Sequence, residues 1–396
     1  MEEELAFRLA AVAAARAADR GRIRALAARA NLEVLVEHLA GQRLLALIGS
    51  RLIDSCEDLV EPALRRAVAA ATAHARLVHV LGVHHTVDLC RRLEQAGIEV
   101  VALKGPLLAE RIYADPALRA APRDIDLLVR PERLDEAVQV VRARGFALRD
   151  DDIWADGLPH YHYGLLPQRS GMPNVELHWR LHWYEREFAQ RLISRSLIGP
   201  DGVRIPSPAD DLAALLIVFA RDGFVGLRLA ADIGAWWDAN GARLRRPGLE
   251  GILAENPRLR ATLLAAVEAA EALVAVPRHE LVSERWRTPR RARVALRLVN
   301  WRGRGDWHEL TTDITLIDLL LIPLAAGRVF IRHYYFQPLS KYAREHGWRP
   351  EARFRNELRR TAHALVRLVR SAWRYGARLW SIRRGGETLP ARPAQS

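Results

Sequence analysis

The chain has 396 residues, 60 of them basic and 47 acidic, giving a net charge of +13. That length exceeds one ordinary hydrophobic core and implies two or three domains, while two cysteines, Cys56 and Cys90, exclude a disulfide framework and a thiolate zinc site built from this chain alone. A reducing cytoplasm is the expected location, since Met1-Glu2-Glu3-Glu4 is acidic where a targeting signal would be basic.

Residues 1–97 are rich in Ala, Leu, Val and Arg at helical spacing, as in Leu32, Leu35, Val36, Leu39 and again Leu77, Val80, Leu81, so a helical N-terminal domain is expected, capped by Gly97. The texture then changes. The apolar run from Ile98 to Leu103 reads as a buried strand, and Gly105-Pro106 opens a helix through Leu107, Leu108, Ile112 and Tyr113, with proline in the first turn. A strand over Asp124–Val129, a helix from Pro131 to Gly145 and a short strand at Phe146 follow. Residues 160–166 and 175–179 form a pair joined by the Ser170–Asn174 turn. The expected core, residues 98–185, is therefore a small mixed α/β sheet. Helical spacing returns at Leu212, Leu215, Leu216 and Phe219 and runs through a basic C-terminal domain, residues 186–384, to a tail at 385–396 expected to be disordered. The fold class is α+β.

Chemistry concentrates in the middle of the chain. Alternation along a strand turns Asp124 and Asp126 to one face and Ile125, Leu127 and Val129 to the other. Two carboxylates held that close repel unless a cation sits between them, and hard oxygen ligands suit Mg²⁺ or Mn²⁺. Only two residues of the chain are lysines, Lys104 and Lys341, so a lysine placed just before Gly105 stands out: its compact ammonium suits a phosphate beside a strand-to-helix turn that exposes backbone N–H groups. In Val175–Trp179 the same alternation turns Glu176 and His178 outward together, supplying a third acid, with His178 a secondary candidate to orient Glu176 or a phosphate.

A Lys-Gly turn, Asp-x-Asp on a strand and a lone acid on a later strand resemble the nucleotidyltransferase superfamily typified by DNA polymerase beta. More narrowly, Leu103-Lys104-Gly105, Arg123–Val129 and Val175–Trp179 resemble the bacterial family of uncharacterised nucleotidyltransferases, and Leu227–Asp232 resembles that family's helical C-terminal region. The superfamily's usual glycine-serine turn is replaced by Lys104-Gly105-Pro106, which leaves phosphate contact to Lys104 and backbone. The resemblance implies transfer of a nucleoside monophosphate from an NTP to an unidentified acceptor with release of pyrophosphate. Asp124 and Asp126 would hold the nucleotide metal, Asp126 and Glu176 would flank a second, Glu176 would accept the acceptor's proton, and Arg119 in the preceding loop would reach phosphate.

Other features have plainer readings. Arg228 and Asp232, at i and i+4, make a helix ion pair by default, although the resemblance also implies a place for Arg228 in the nucleotide or acceptor pocket. His160 and His162 share a strand face but lack further ligands at zinc spacing, so they read as structural. The run Ile314–Ile331 contains Asp318, Pro323 and Arg328 and reads as a buried helix rather than a membrane span. From Arg278 onward there are 25 basic and 10 acidic residues, a net of +15, which implies an anionic partner there, nucleic acid or a membrane surface. Within it Phe354–Ile382 alternates Phe354, Leu358, Leu365, Val369, Trp373 and Trp380 with arginines. The favoured reading packs the apolar residues on the core with arginine outward; the other lays the helix on lipid or nucleic acid. The rival to an enzyme is a catalytically idle scaffold that binds through this region.

Overall fold

The computed structural model describes residues 2–16, 18–149, 161–185, 187–244, 248–299, 307–323 and 353–383, with isolated positions at 326, 327, 329, 335 and 339. The chain begins with five helices, α1 (Glu2–Ala14), α2 (Arg20–Ala27), α3 (Leu32–Gly41), α4 (Leu45–Ser55) and the long α5 (Pro62–Gln95). Side-chain caps open α2 and α3: Asp19 accepts from the Arg22 amide at 3.0 Å, and Asn31 accepts from the amides of Glu33 and Val34 at 3.0 and 3.3 Å. Pro62 opens α5, where a missing N–H costs nothing.

The α/β segment continues with β1 (Val100–Ala102), α6 (Pro106–Ile112), β2 (Asp124–Val129), α7 (Leu134–Ala143), β3 (Phe146–Leu148), β4 (His162–Pro167) and β5 (Asn174–His178), the order expected from the pattern. After α8 (Glu187–Ser194), two strands of two residues each, β6 (Leu197–Ile198) and β7 (Arg204–Ile205), extend the sheet past residue 185. The sheet has seven strands in the order β3-β4-β5-β2-β1-β7-β6. β2 runs parallel to β5, with Asp124 opposite Asn174 and Asp126 opposite Glu176, while β4 lies antiparallel on the other side of β5, with His162 opposite His178.

The remaining helices are α9 (Pro208–Arg221), α10 (Arg228–Asn240), α11 (Glu250–Glu255), α12 (Arg260–Val274), α13 (Arg278–Leu281), α14 (Arg290–Leu298), α15 (Trp307–Leu321) and α16 (Arg353–Arg383). The fold is α+β. One face of the sheet, with Ile125, Leu127, Val129, Val175 and Leu177, packs with Leu89 and Leu93 of α5 and Leu134, Val138 and Val141 of α7. The other face contributes Val101 and Leu128 to a larger core shared with α1, α4, α9, α10 and α12. This division gives Asp124, Asp126, Glu176 and His178 their position: they occupy the polar end of the face that looks toward α9.

The segment Ile314–Ile331 lies in α15 as far as that helix is described. Asp318 is buried, accepting from Trp183 Nε1 at 2.7 Å and lying 3.1 Å from His182 Nε2, so the carboxylate that argued against a span belongs to a polar cluster in the core. Among the described residues no helix is long and apolar enough to cross a membrane. The expectation that α16 turns its apolar residues onto the core is overturned: Leu358, Leu365, Val369 and Trp373 are exposed, and among the described side chains of the helix Asn356 and Ala364 are the buried ones. His160 and the tail at 385–396 lie outside the described residues.

Candidate active site

Asp126 sits at the centre of the cluster, 1 % exposed. Lys104, one residue before the turn into α6, places its Nζ 2.7 and 2.8 Å from the two carboxylate oxygens. His178 Nε2 lies 3.0 Å from Asp126 Oδ1 and 3.2 Å from Glu176 Oε2, bridging the two acids brought side by side by the parallel register. Burial alone would raise the Asp126 pKa, but Lys104 and His178 outweigh it and hold the carboxyl far below its usual range. Burial would likewise lower Lys104, yet Asp126 and Asp124 keep its ammonium above the ordinary value.

Asp124 behaves differently on the same strand face. Burial, with the charge of Asp126 added, raises its pKa, and its carboxylate has no hydrogen-bond or ion-pair partner among the described residues. Glu176 is lowered to about 2: burial pushes it up, and the hydrogen bond and charge of His178 more than reverse that. The three acids of the sequence motif thus differ in their partners: Asp126 is held by Lys104 and His178, Glu176 by His178, and Asp124 by no hydrogen bond or ion pair to a described residue.

Gly105 turns β1 into α6 with φ +99° and ψ −147°, a conformation only glycine adopts readily, and Pro106 begins the helix at once. Pro106 is accommodated because α5 carries Gly82 where it passes: a Cβ there would come 2.6 Å from Pro106 Cγ. The turn therefore brings Lys104 to the carboxylates rather than leaving it outward for phosphate alone.

Arg119 corrects the expectation placed on it, and the helix pair expected of Arg228 and Asp232 is replaced by another. Arg119 is 7 % exposed and donates Nε at 3.1 Å and Nη2 at 2.8 Å to the buried Asp232 of α10, which also accepts from Tyr113 Oη at 3.0 Å. A guanidinium whose Nε–Nη2 edge is held by a buried carboxylate is committed to that pair rather than free to close on a phosphate. Asp232 is accordingly taken by a partner 113 residues away, and the i, i+4 pair with Arg228 does not form. Arg228 is half-buried at the start of α10 without an ion pair to a described residue.

Sequence reasoning read His162 as structural and passed over Arg221, and both stand beside the site. His162 Nε2 comes 3.8 Å from Glu176 Oε1, and His162, Glu176 and His178 each offer a ligand atom within 4.8 Å of the others. Burial and the neighbouring His178 push His162 down to about 3, so its ring is neutral and able to ligate near pH 7. Nδ1 of both histidines is buried without a hydrogen-bond partner among the described residues. The partners His162 lacked in its own strand stand on β5, and only the antiparallel register reveals them. Arg221, closing α9, has its guanidinium 4.7 Å from the Tyr161 ring centroid and donates Nε to Asp222 at 3.1 Å. Burial opposes its charge, but Asp222, Tyr161 and Glu176 hold it above the ordinary arginine value, so a second cation stands on the α9 side. A repeated cue for Arg221 is lacking in the sequence, where nearly every positive charge is arginine.

No curated protein matches the chain. A model of the family described as uncharacterised nucleotidyltransferase matches residues 28–275, which contain the whole sheet, every acid of the cluster and the α9–α10 layer above it. With more than half of its length matched and the motif residues assembled on adjacent strands, the chain belongs to the uncharacterised nucleotidyltransferase family.

Proposed function

We propose that the protein transfers a nucleoside monophosphate from an NTP to an acceptor hydroxyl, releasing pyrophosphate, with a divalent cation held by Asp124, Asp126 and Glu176. The observation that carries this reading is the parallel pairing of β2 with β5, which sets Asp126 directly opposite Glu176 and puts three carboxylates at one end of one sheet face. The donor set fits a hard cation. Asp124 is a carboxylate with no hydrogen-bond or ion-pair partner among the described residues, and its pKa is raised first by burial and then by the charge of Asp126, a condition a bound cation relieves. Such a cation, Mg²⁺ or Mn²⁺, would neutralise phosphate charge and orient the reacting oxygens.

The chain's own residues do the rest. Lys104 keeps Asp126 ionised and presents its remaining N–H donors beside the Gly105 turn, where the β- and γ-phosphates would lie. His178 fixes Asp126 and Glu176 relative to each other through Nε2. Glu176, held ionised by His178, is the group suited to accept the proton of the attacking hydroxyl. Arg221 supplies positive charge from the helix facing the sheet.

Calorimetric titration with each of ATP, CTP, GTP and UTP, with and without Mg²⁺ or Mn²⁺, tests the reading. Binding of at least one NTP that disappears on chelation is expected. Lys104→Ala should weaken NTP binding more than NMP binding, and Lys104→Arg should rescue poorly because the planar fork must fit the same turn. Failure of all four nucleotides to bind would leave the idle-scaffold alternative standing.

A further inference from the structure

Helix α16 has two sides with opposite environments. Asn356 and Ala364 are buried and Leu368 and Tyr375 half-buried, forming the side docked on α14 and α15. Leu358, Leu365, Val366, Val369 and Trp373 are 58, 50, 50, 67 and 80 % exposed. With 3.6 residues per turn these five side chains fall within about 100° of arc, roughly opposite the docked side. Arg359, Arg367, Arg370 and Arg374 occupy the shoulder between, all exposed and none ion-paired to a described residue. A helix that merely covers a core shows the reverse, its apolar stripe inward and its charges outward.

We infer that α16 lies on a bilayer containing anionic lipid, with the Leu358–Trp373 stripe entering the interfacial layer and the four arginines meeting lipid phosphates. Charge complementarity selects this occupant. A nucleic acid would satisfy the arginines and leave the apolar stripe in water. A second copy packed stripe to stripe would cover the apolar residues but bring arginine shoulders toward each other across the two-fold axis. A bilayer surface satisfies both sets at once, because its phosphates lie just above its acyl chains. At 31 residues the helix is about 46 Å long, enough to lie in the membrane plane. The charge of the surrounding region, net +15 from Arg278 onward, has the sign such a surface attracts.

The test uses the intact protein in flotation with vesicles of phosphatidylcholine alone or mixed with an equal part of phosphatidylglycerol, at low and high salt. Flotation with the anionic vesicles, weakened by salt, is expected. Arg370→Gln should lower partitioning about fivefold, and Trp373→Ala roughly tenfold, both with unchanged circular dichroism and NTP binding. Absence from anionic vesicles overturns the inference, as does flotation untouched by Trp373→Ala. Displacement of the protein from vesicles by a small excess of RNA would assign the surface to nucleic acid instead. A dimer in sedimentation that Trp373→Glu dissociates, with flotation unchanged, would assign it to a second copy.

Discussion

Replacing Arg119 with alanine separates a structural arginine from a phosphate ligand. Arg119 and Asp232 are 7 and 1 % exposed by side chain, and the guanidinium donates three hydrogen bonds to the carboxylate. Removing it leaves Asp232 buried with Tyr113 as its one hydrogen-bond partner among the described residues, and breaking a buried pair from one side costs about 3–5 kcal/mol. Against a typical total of about 5–15 kcal/mol this is a large fraction, and at a urea dependence near 3 kcal/mol/M the unfolding midpoint falls by about 1 M. Equilibrium urea unfolding followed by tryptophan fluorescence reads this directly. The double variant Arg119→Met with Asp232→Leu should recover most of the loss, because it removes both charges together. The affinity of the folded Arg119→Ala protein for NTP should change less than about threefold, short of the loss of a charge-assisted phosphate contact. An Arg119→Ala protein as stable as the parent but at least tenfold weaker for NTP would refute this and return Arg119 to the phosphate site.

Asp124→Asn should abolish transfer by more than about a hundredfold and remove cation-dependent NTP binding, while thermal unfolding shows a fold no less stable, since the substitution removes a charge whose burial, with the repulsion of Asp126 added, raises Asp124; a stability loss with retained binding would count against the metal assignment. Gly105→Ala should cost about 1–3 kcal/mol, because φ +99° strains any side chain, and should weaken NTP more than NMP binding in the same calorimetry. Glu185, buried and pushed up to about 7 chiefly by burial, gives a pH signature. Its protonated form favours the folded state, so the stability it supports is full below about pH 4.3, its unfolded value, and is lost as pH rises toward about 7, by roughly 3 kcal/mol at most. Urea midpoints measured across that range should fall more steeply for the parent than for Glu185→Gln, and parallel profiles would exclude Glu185 as the source.

The elements that carry the site were legible where a local rule governs them. Strict alternation marked Asp124 and Asp126 on one face of β2, and Gly105-Pro106 marked the turn because few residues tolerate that backbone. What escaped depends on contacts between distant segments. His162 gains its neighbours from the register of β4 on β5, and Asp232 is claimed by Arg119 over 113 residues in preference to the nearby Arg228. Strands β6 and β7 are two residues each, too short for a period to show. In α16 the periodicity displayed an apolar stripe but not its direction, which is set by Asn356, Ala364, Leu368 and Tyr375 finding places on the body of the protein.

The position of α1 has a consequence for the order in which the chain matures. Its apolar residues Phe7, Leu9 and Ala13 belong to a core shared with α10 and α12, the Arg16 amide donates to the Val274 carbonyl at 3.4 Å, and Arg16 Nε lies 2.9 Å from Asp238. At about 5–20 residues per second, synthesis takes α1 out of the ribosome well before the helices that cover it exist. Those N-terminal helices must wait with apolar surface open until residue 274 has been made. A segment made before the helices that cover it is thus among the last to be sealed, which makes the half-made chain a natural client for chaperones.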